Sequence, residues 1–375
     1  MNFKSIKELE NLEGKRVLLR VDWNVPLSDG VVVDDYRIEK SMKTIEYLGH
    51  QGAKMIIISH IESKEGNTLV PVFNHLKDRF PIHFCEEVTG PSVVEAVEKL
   101  EDGGMLLLEN LRSHPGEKEN SEDFARDLAS FGDIYVNEAF SVSHRSDASI
   151  VGVPKFLESF GGLQFASEIE NLSKAFSPKN PFLFILAGAK FDTKMPLLEK
   201  FLNIADKVFV GGALANNFFK EMNLEIGRSL VSEGNFHLNE KMATNKIIIP
   251  SDVLVKRGNN SHIVPLGGVQ SEDIIVDVGP NTLLELEDVI RDSSTILWNG
   301  PLGNFEKGYR KYTLDLASFL AESGKEVIVG GGDTLAAIKE LGLEAKFTFV
   351  STAGGAMLDF LSAGTLPGIE AISNQ

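Results

Sequence analysis

Six potential cations follow short apolar runs in the first half of the sequence: Arg20 in RVDWNVP, Arg37 in DDYRI, His60 in SHIES, Arg112 in ENLRSH, and His144 with Arg145 in SVSHRSDAS. A guanidinium presents paired donors that match a carboxylate or a phosphate, so this set predicts a pocket for a small anionic molecule. Taken singly, each arginine reads as a surface or ion-pair residue. The shared placement is what points to a site. Asp22 and Asn24, which follow the first run, either take hydroxyl groups of that molecule or form an Asx turn ahead of Pro26.

The second half is rich in glycine where the first is rich in arginine. AGAKFDTK (Ala187 to Lys194) sets Lys190 and Lys194 four residues apart, so both ammonium groups face one anion if a helix starts there. GGALA (Gly211 to Ala215), WNGPLGNFE (Trp298 to Glu306), GGGDT (Gly330 to Thr334) and STAGGA (Ser351 to Ala356) each follow an apolar run. Glycine lets backbone amides approach phosphate oxygens, and a helix N-terminus adds partial positive charge. One such loop would be an ordinary tight turn; four predict a phosphate cradle. Asp333 either holds a magnesium ion, whose other ligands are phosphates and water, or caps a helix. Glu306 either accepts hydrogen bonds from a ribose diol or is simply solvated.

These side chains need elements to carry them. Apolar, β-branched runs recur at Arg16 to Asp22, Met55 to Ser59, Met105 to Glu109, Ile134 to Asn137, Phe182 to Leu186, Lys207 to Val210, Ile247 to Pro250, Thr295 to Trp298, Glu326 to Val329 and Phe347 to Val350. Each leads through a polar or glycine-rich loop into an amphipathic stretch. Uninterrupted hydrophobicity within a strand means that both faces are covered, which predicts an α/β fold of parallel sheets flanked by helices. In QFASEIENLSKAF the residues Phe165, Ile169, Leu172 and Phe176 recur at helical spacing, and Pro178 and Pro181 stop the pattern. A helix joining two lobes of similar size is expected there. Ligands bind at the carboxyl ends of strands in such sheets, so each lobe should carry one crevice.

Composition narrows the classes. A chain of 375 residues, 43% hydrophobic and 24% charged, accommodates two or three domains with substantial cores. Lys and Arg number 37 against 54 Asp and Glu, a net charge of −17, which argues against nucleic acid or anionic membrane as partners. Cys85 is the single cysteine, so no internal disulfide forms, no zinc spacing exists, and a reducing cytoplasmic setting is expected. The charged start MNFKSIKELE and the shortness of uncharged stretches such as Val208 to Phe219 predict neither a signal peptide nor a membrane span. The sequence lacks GxGxxG, a Walker A loop, the HRD and DFG set of protein kinases, and a GxSxG elbow.

The motifs RVDWNVP, DDYRI, SHIES, LLLENLRSH, NEAFSVSHRSDASIVGVP, AGAKFDTK, VGGALA, LWNGPLGNFE, VGGGDTLAA, VSTAGGAML and LPGIEAI occur in order, and from Arg16 to Ile372 the chain closely resembles the phosphoglycerate kinase family. That resemblance implies an α/β protein of two Rossmann-like lobes, each a parallel β-sheet flanked by helices, joined by a hinge helix. It implies a phosphoglycerate-binding domain over 1–162, with 361–375 packing back on it, and a hinge helix with a nucleotide-binding domain over 163–360. The implied enzyme is a phosphotransferase with a carboxyl group as acceptor. It moves a phosphoryl group reversibly from 1,3-bisphosphoglycerate to ADP, giving 3-phosphoglycerate and ATP in glycolysis.

Carried over residue by residue, the substrate site comprises Asp22, Asn24, Arg37, His60, Arg112 and Arg145. The resemblance gives Arg37, Lys194, Gly354 and Gly355 to the transferring group. It gives Lys190, Gly211, Gly212, Asn299, Pro301, Glu306, Gly331, Gly332, Asp333 and Thr334 to the nucleotide, with Mg2+ held by Asp333. Since the acceptor is already a carboxylate at neutral pH, no general base is needed. Closure of the lobes about the linking helix and a monomeric state are also implied.

The chain departs from the family pattern in places. Glu62 and Ser63 stand where glycine and a phosphate-directed arginine are usual, Ala353 replaces a glycine, Asn304 replaces an apolar residue, and Ala363 to Thr365 replaces EGK. An acidic residue at 62 would weaken substrate affinity. These departures motivate one alternative, a non-catalytic, nucleotide-responsive binding protein on the same scaffold. A third class, an NAD-dependent oxidoreductase, would suit two α/β lobes but lacks its fingerprint glycines.

Overall fold

The uninterrupted apolar runs become parallel strands. A computed structural model of the chain describes residues 3–234 and 236–373, and it divides into two units, Met1–Glu170 with Ala363–Gln375, and Asn171–Ser362. The first unit contains β1 (Arg16–Arg20), a small hairpin of β2 (Leu27–Ser28) and β3 (Val31–Val32), then β4 (Lys54–Ile58), β5 (Ile82–Cys85), β6 (Met105–Leu108), β7 (Ile134–Asn137) and β8 (Ser159–Gly161). Its main sheet has the order β5-β6-β4-β1-β7-β8, parallel throughout. Val17, Leu19, Ile57, Leu107 and Val136 from these strands meet Trp23, Ile38 and Leu48 in the core.

The second unit contains β9 (Phe182–Leu186), β10 (Lys207–Val210), β11 (Ile247–Ile248), β12 (Asp252–Arg257), β13 (Asn260–Pro265), β14 (Ile274–Val278), β15 (Thr295–Asn299), β16 (Glu326–Gly330) and β17 (Phe349–Val350). Its parallel sheet runs β11-β10-β9-β15-β16-β17. Beside it lies a three-stranded antiparallel sheet, β13-β12-β14, which the reading of apolar runs does not predict. The reason is visible in β13, which is exposed at every position but Val264 and so carries polar residues. β5 and β8 also escape that reading, β5 because His83 faces out and β8 because it has only three residues.

In both parallel sheets the strand order reverses at the centre. β1 has β4 on one side and β7 on the other, and β9 lies between β10 and β15. Loops leaving adjacent strands in opposite directions open a crevice at their carboxyl ends. Two buried tryptophans brace these turns. Trp23 donates through its indole to Ser41 Oγ (2.9 Å), and Trp298 donates to the Gly300 carbonyl (2.9 Å).

The predicted linking helix is present as Leu163–Ser173, followed by a 3₁₀ turn Lys174–Phe176, and the division between units falls inside it, after Glu170. Its first amides are satisfied by side chains. Glu138 accepts from Gln164 N–H and Phe165 N–H, both at 3.0 Å, and Thr44 Oγ1 accepts from Leu163 N–H at 2.9 Å. Only glycine fits at 162, because a Cβ there would lie 2.0 Å from Glu138 Oε2. The final helix, Pro367–Ser373, is tied to the first unit by Gly368 N–H donating to the Ser143 carbonyl at 2.8 Å.

Burial pushes the Glu138 carboxyl up from 4.5 to about 7, although its hydrogen bonds to Thr44, Phe165 and Gln164 pull the other way. Burial likewise pushes Asp277 up from 3.8 to about 7. An acid whose pKa is higher folded than unfolded binds more protons in the native state, so its contribution to stability declines as pH rises between the two values. Urea unfolding free energy is therefore expected to fall from pH 5 to pH 7, and Glu138→Gln is expected to make that slope shallower. An unchanged slope in the variant would refute the assignment.

Candidate functional site

In the first unit the predicted cationic residues collect at the carboxyl ends of the central strands. Asp22 and Asn24 follow β1, His60 follows β4, Arg112 lies on the 3₁₀ turn Leu111–Ser113 after β6, and Arg37 sits in the first turn of helix Tyr36–His50. Arg37 Nη1 lies 2.9 Å from Asp22 Oδ2 and donates to the Asn24 carbonyl at 3.1 Å. The Asx turn also forms, with Asn24 N–H donating to Asp22 Oδ1 at 3.2 Å. Burial would raise the Asp22 carboxyl, but Arg37, His60, Ser141 and Arg20 together hold it below its ordinary value.

His60 is 1% exposed, and burial, reinforced by the charge of Arg20, pushes it down to about 3. The ring is therefore neutral near pH 7, and its 3.9 Å approach to Asp22 Oδ1 is not an ion pair. Arg112 and Arg145 also act on His60 through their charge. Arg112 is 6% exposed, pairs with Asp147 at 2.8 Å, and leaves its buried Nε without a hydrogen-bond partner.

One expected cation does not belong to this surface. Arg20 is fully buried, donating to Ser149 Oγ at 2.9 Å and to the Val21 carbonyl, with His60 Nδ1 3.2 Å from Nη2. It braces the strand end and orients His60.

In the second unit a cavity of about 840 Å³ opens at the carboxyl ends of β9, β10, β15 and β16. Lys190, Lys194, Gly212, Asn299, Pro301, Glu306, Gly331, Gly332, Asp333, Thr334, Gly354 and Gly355 all line it. Lys190 precedes helix Phe191–Ile204 and is exposed, whereas Lys194 lies within that helix and is 9% exposed. Lys194 Nζ donates to the Ala187 carbonyl. Burial lowers the ammonium to about 8, against the opposing charge of Asp333.

The glycines have distinct jobs. A Cβ on Gly212 (φ +60°) would lie 2.5 Å from Gly188 N, and one on Gly300 (φ +98°) would lie 2.0 Å from the Ala187 carbonyl and 2.8 Å from Lys194 Nζ. Gly332, Gly354 and Gly355 meet nothing within 4 Å, so their backbone stands open to the cavity. Gly211 lies outside the cavity lining, and a Cβ there would meet Phe209, Leu302 and Ala187.

Thr334 and Asn299 are already engaged, the first accepting from Gly300 N–H at 3.0 Å and the second donating to the Gly330 carbonyl at 3.1 Å. Asp333 does not cap its helix, Gly332–Glu340, whose N-cap is Gly331. Its carboxyl is raised first by burial and then by the nearby charge of Glu306, with Lys194 opposing.

The cavity also has a wall that residue types did not reveal. Phe219, Val253, Val278, Leu302, Phe305 and Leu358 form an apolar surface, broken by Asp277, whose buried Oδ2 lacks a hydrogen-bond partner. A lone acid inside the apolar run IIVDV was the available signal.

Two α/β units, one with a cationic cluster at its strand ends and the other with a lysine and glycine-lined cavity, define a two-domain phosphotransferase. The sequence pattern of the phosphoglycerate kinase family matches residues 6–364. The chain is 39% identical over 393 residues to phosphoglycerate kinase of Dictyoglomus turgidum, covering 99% of both chains. It is 38% identical over 397 residues to that of Caulobacter vibrioides, covering 100% of both. The structure of phosphoglycerate kinase from Coxiella burnetii superposes with a TM-score of 0.86 at 34% identity, covering 99% of each chain. The chain belongs to the phosphoglycerate kinase family, and with it to the kinases of glycolysis. None of these relatives is described as a non-catalytic binding protein.

The family's nucleotides are ATP and ADP. Gly300→Ala is expected to push the loop off Ala187 and Lys194 and to weaken ADP binding by about tenfold or more, measured by calorimetry. Parental affinity in the variant would show that the close approach does not shape the cavity.

Proposed function

We propose that this chain transfers a phosphoryl group between 1,3-bisphosphoglycerate and ADP by alignment and charge neutralisation, with phosphoglycerate on residues 1–162 and nucleotide on 163–360. The observation that carries the reading is Lys194, a buried ammonium in the lining of a glycine-rich cavity, held by the Ala187 carbonyl. Phosphoryl transfer asks little covalent chemistry of the protein; it asks for donors aimed at the oxygens where charge accumulates. Lys194, Arg37 and the amides of Gly354 and Gly355 would serve the moving group, and Lys190 the remaining nucleotide phosphates. The apolar wall around Phe219 and Leu302 would take the base, with Glu306 near the ribose.

In the first unit, Asp22, Asn24, Arg37, His60, Arg112 and Arg145 would hold phosphoglycerate. A carboxylate acceptor is ionised at neutral pH and needs no base. The neutral, buried His60 supports a binding role for that ring.

The residues present suit Mg2+. Among the described residues no three His, Cys, Asp or Glu side chains cluster as an all-protein metal site. Asp333 instead stands beside the like charge of Glu306, which a divalent cation would relieve, leaving the other positions to phosphates and water. When bound, Mg2+ would neutralise phosphate charge.

The two ligands must meet for transfer, and Leu163–Ser173, which carries the chain between the units, is the element about which we propose closure. Family membership further supports a cytoplasmic monomer. No helix among the described residues is long and apolar enough to cross a membrane.

A coupled assay for ATP formation from 1,3-bisphosphoglycerate and MgADP tests the reading; nucleotide binding without turnover would overturn it. Lys194→Ala is expected to lower kcat by roughly 10²- to 10³-fold, as loss of a transition-state donor does. Since the lysine acts as the cation, kcat/KM should fall as pH rises through about 8. A variant with parental kcat would remove Lys194 from the mechanism.

A further inference from the structure

The loop after β4 brings a carboxylate to the cationic cluster of the first unit. Glu62 Oε1 lies 3.1 Å from Lys118 Nζ and 3.6 Å from Arg112 Nη1. The backbone around it is clamped on both sides. Ile61 N–H donates to Asn110 Oδ1 at 3.1 Å, the Ile61 carbonyl accepts from Asn110 Nδ2 at 2.8 Å, and Glu62 N–H donates to Asn24 Oδ1 at 3.0 Å. The Glu62 chain is therefore rooted among the residues assigned to phosphoglycerate, while its carboxylate remains 45% exposed. Its carboxyl is held below the ordinary value, first by its hydrogen bond with Lys118, so it is ionised at neutral pH.

We propose that Glu62 is a built-in anionic competitor that sets substrate affinity by occupying Arg112 and Lys118, the cations to which a phosphate or carboxylate group of phosphoglycerate would turn. The inference rests on the phosphoglycerate reading of this unit. Three observations define the strength of the competition. The Arg112 contact, at 3.6 Å, is too long for a hydrogen bond. The Lys118 pair is largely solvated, with the lysine 61% exposed, and such pairs are weak. Arg112 has a second anionic partner in Asp147 at 2.8 Å, so it holds its place when Glu62 swings away. Glu62 can thus yield to a doubly charged ligand, and its presence costs affinity without blocking the site. The same geometry brings in Lys118, which no motif marked, as a cation within reach of the ligand.

The test compares the parent with Glu62→Gln and Glu62→Ala, both at a position exposed enough to spare the fold. KM for 3-phosphoglycerate is expected to fall about two- to fivefold in both variants, while KM for MgATP stays unchanged within error. The 3-phosphoglycerate KM should also rise more steeply with added salt in Glu62→Gln than in the parent, because the uncancelled cations then attract the anion more strongly. A merely structural role would not steepen that salt dependence. Calorimetric titration of the same proteins with 3-phosphoglycerate reads the proposal without turnover, so failure of the catalytic reading is distinguishable from failure of this one. An affinity equal to or weaker than the parent's in Glu62→Gln would overturn the proposal.

Discussion

The cavity of the second unit depends on the approach of two backbone turns at the reversal of strand order between β9 and β15. Ala187 N–H takes the Asn299 carbonyl at 2.8 Å, which completes the ladder, and the next residue on each strand turns away. Glycine at 188, 212 and 300, each with positive φ, lets these turns nearly touch. The Ala187 carbonyl, left at the lip, then holds Lys194. Without that approach the lysine would lose the acceptor that fixes its position. A desolvated ammonium resting on one neutral carbonyl is poorly compensated, which is the condition in which an incoming anion gains most from meeting it.

The first unit, to which we assign phosphoglycerate, solves the same problem with side chains. Its charges are arranged in opposed pairs: Arg37 with Asp22, Arg112 with Asp147, and Lys118 with Glu62. Each cation is thereby oriented, and each carries a partner that a ligand must outbid. Behind this layer burial, reinforced by the charge of Arg20, keeps His60 neutral. One unit lines its strand ends with glycine backbone and the other with ion pairs, as the proposed division of nucleotide and phosphoglycerate between them requires.

Much of this was legible from residue order. The strands of the two parallel sheets are covered on both faces, so they appear as unbroken apolar runs, and the loops after them carry the chemistry. What stayed hidden has physical reasons. The sheet β13-β12-β14 leaves one strand almost wholly exposed, so Asn260–Pro265 reads as polar loop. Arg20 and Arg37 are the same residue type near the same turn, yet Arg20 ends β1 at zero exposure while Arg37 starts a helix at the rim. Gly211 and Gly212 are neighbours with opposite surroundings, one enclosed by Phe209 and Leu302 and the other against Gly188. Type and spacing cannot separate such pairs; only the packing of distant residues does.

The two tryptophans carry a consequence of their own. Trp23 lies in the first unit and Trp298 in the second, both fully buried, and each adjoins candidate site residues in sequence, Trp23 between Asp22 and Asn24 and Trp298 beside Asn299. Each half therefore contains a single tryptophan. Replacing one indole with phenylalanine leaves a chain whose emission, excited at the red edge where tyrosine does not absorb, reports on the remaining half alone, so the order in which the halves melt can be followed optically without attaching a dye.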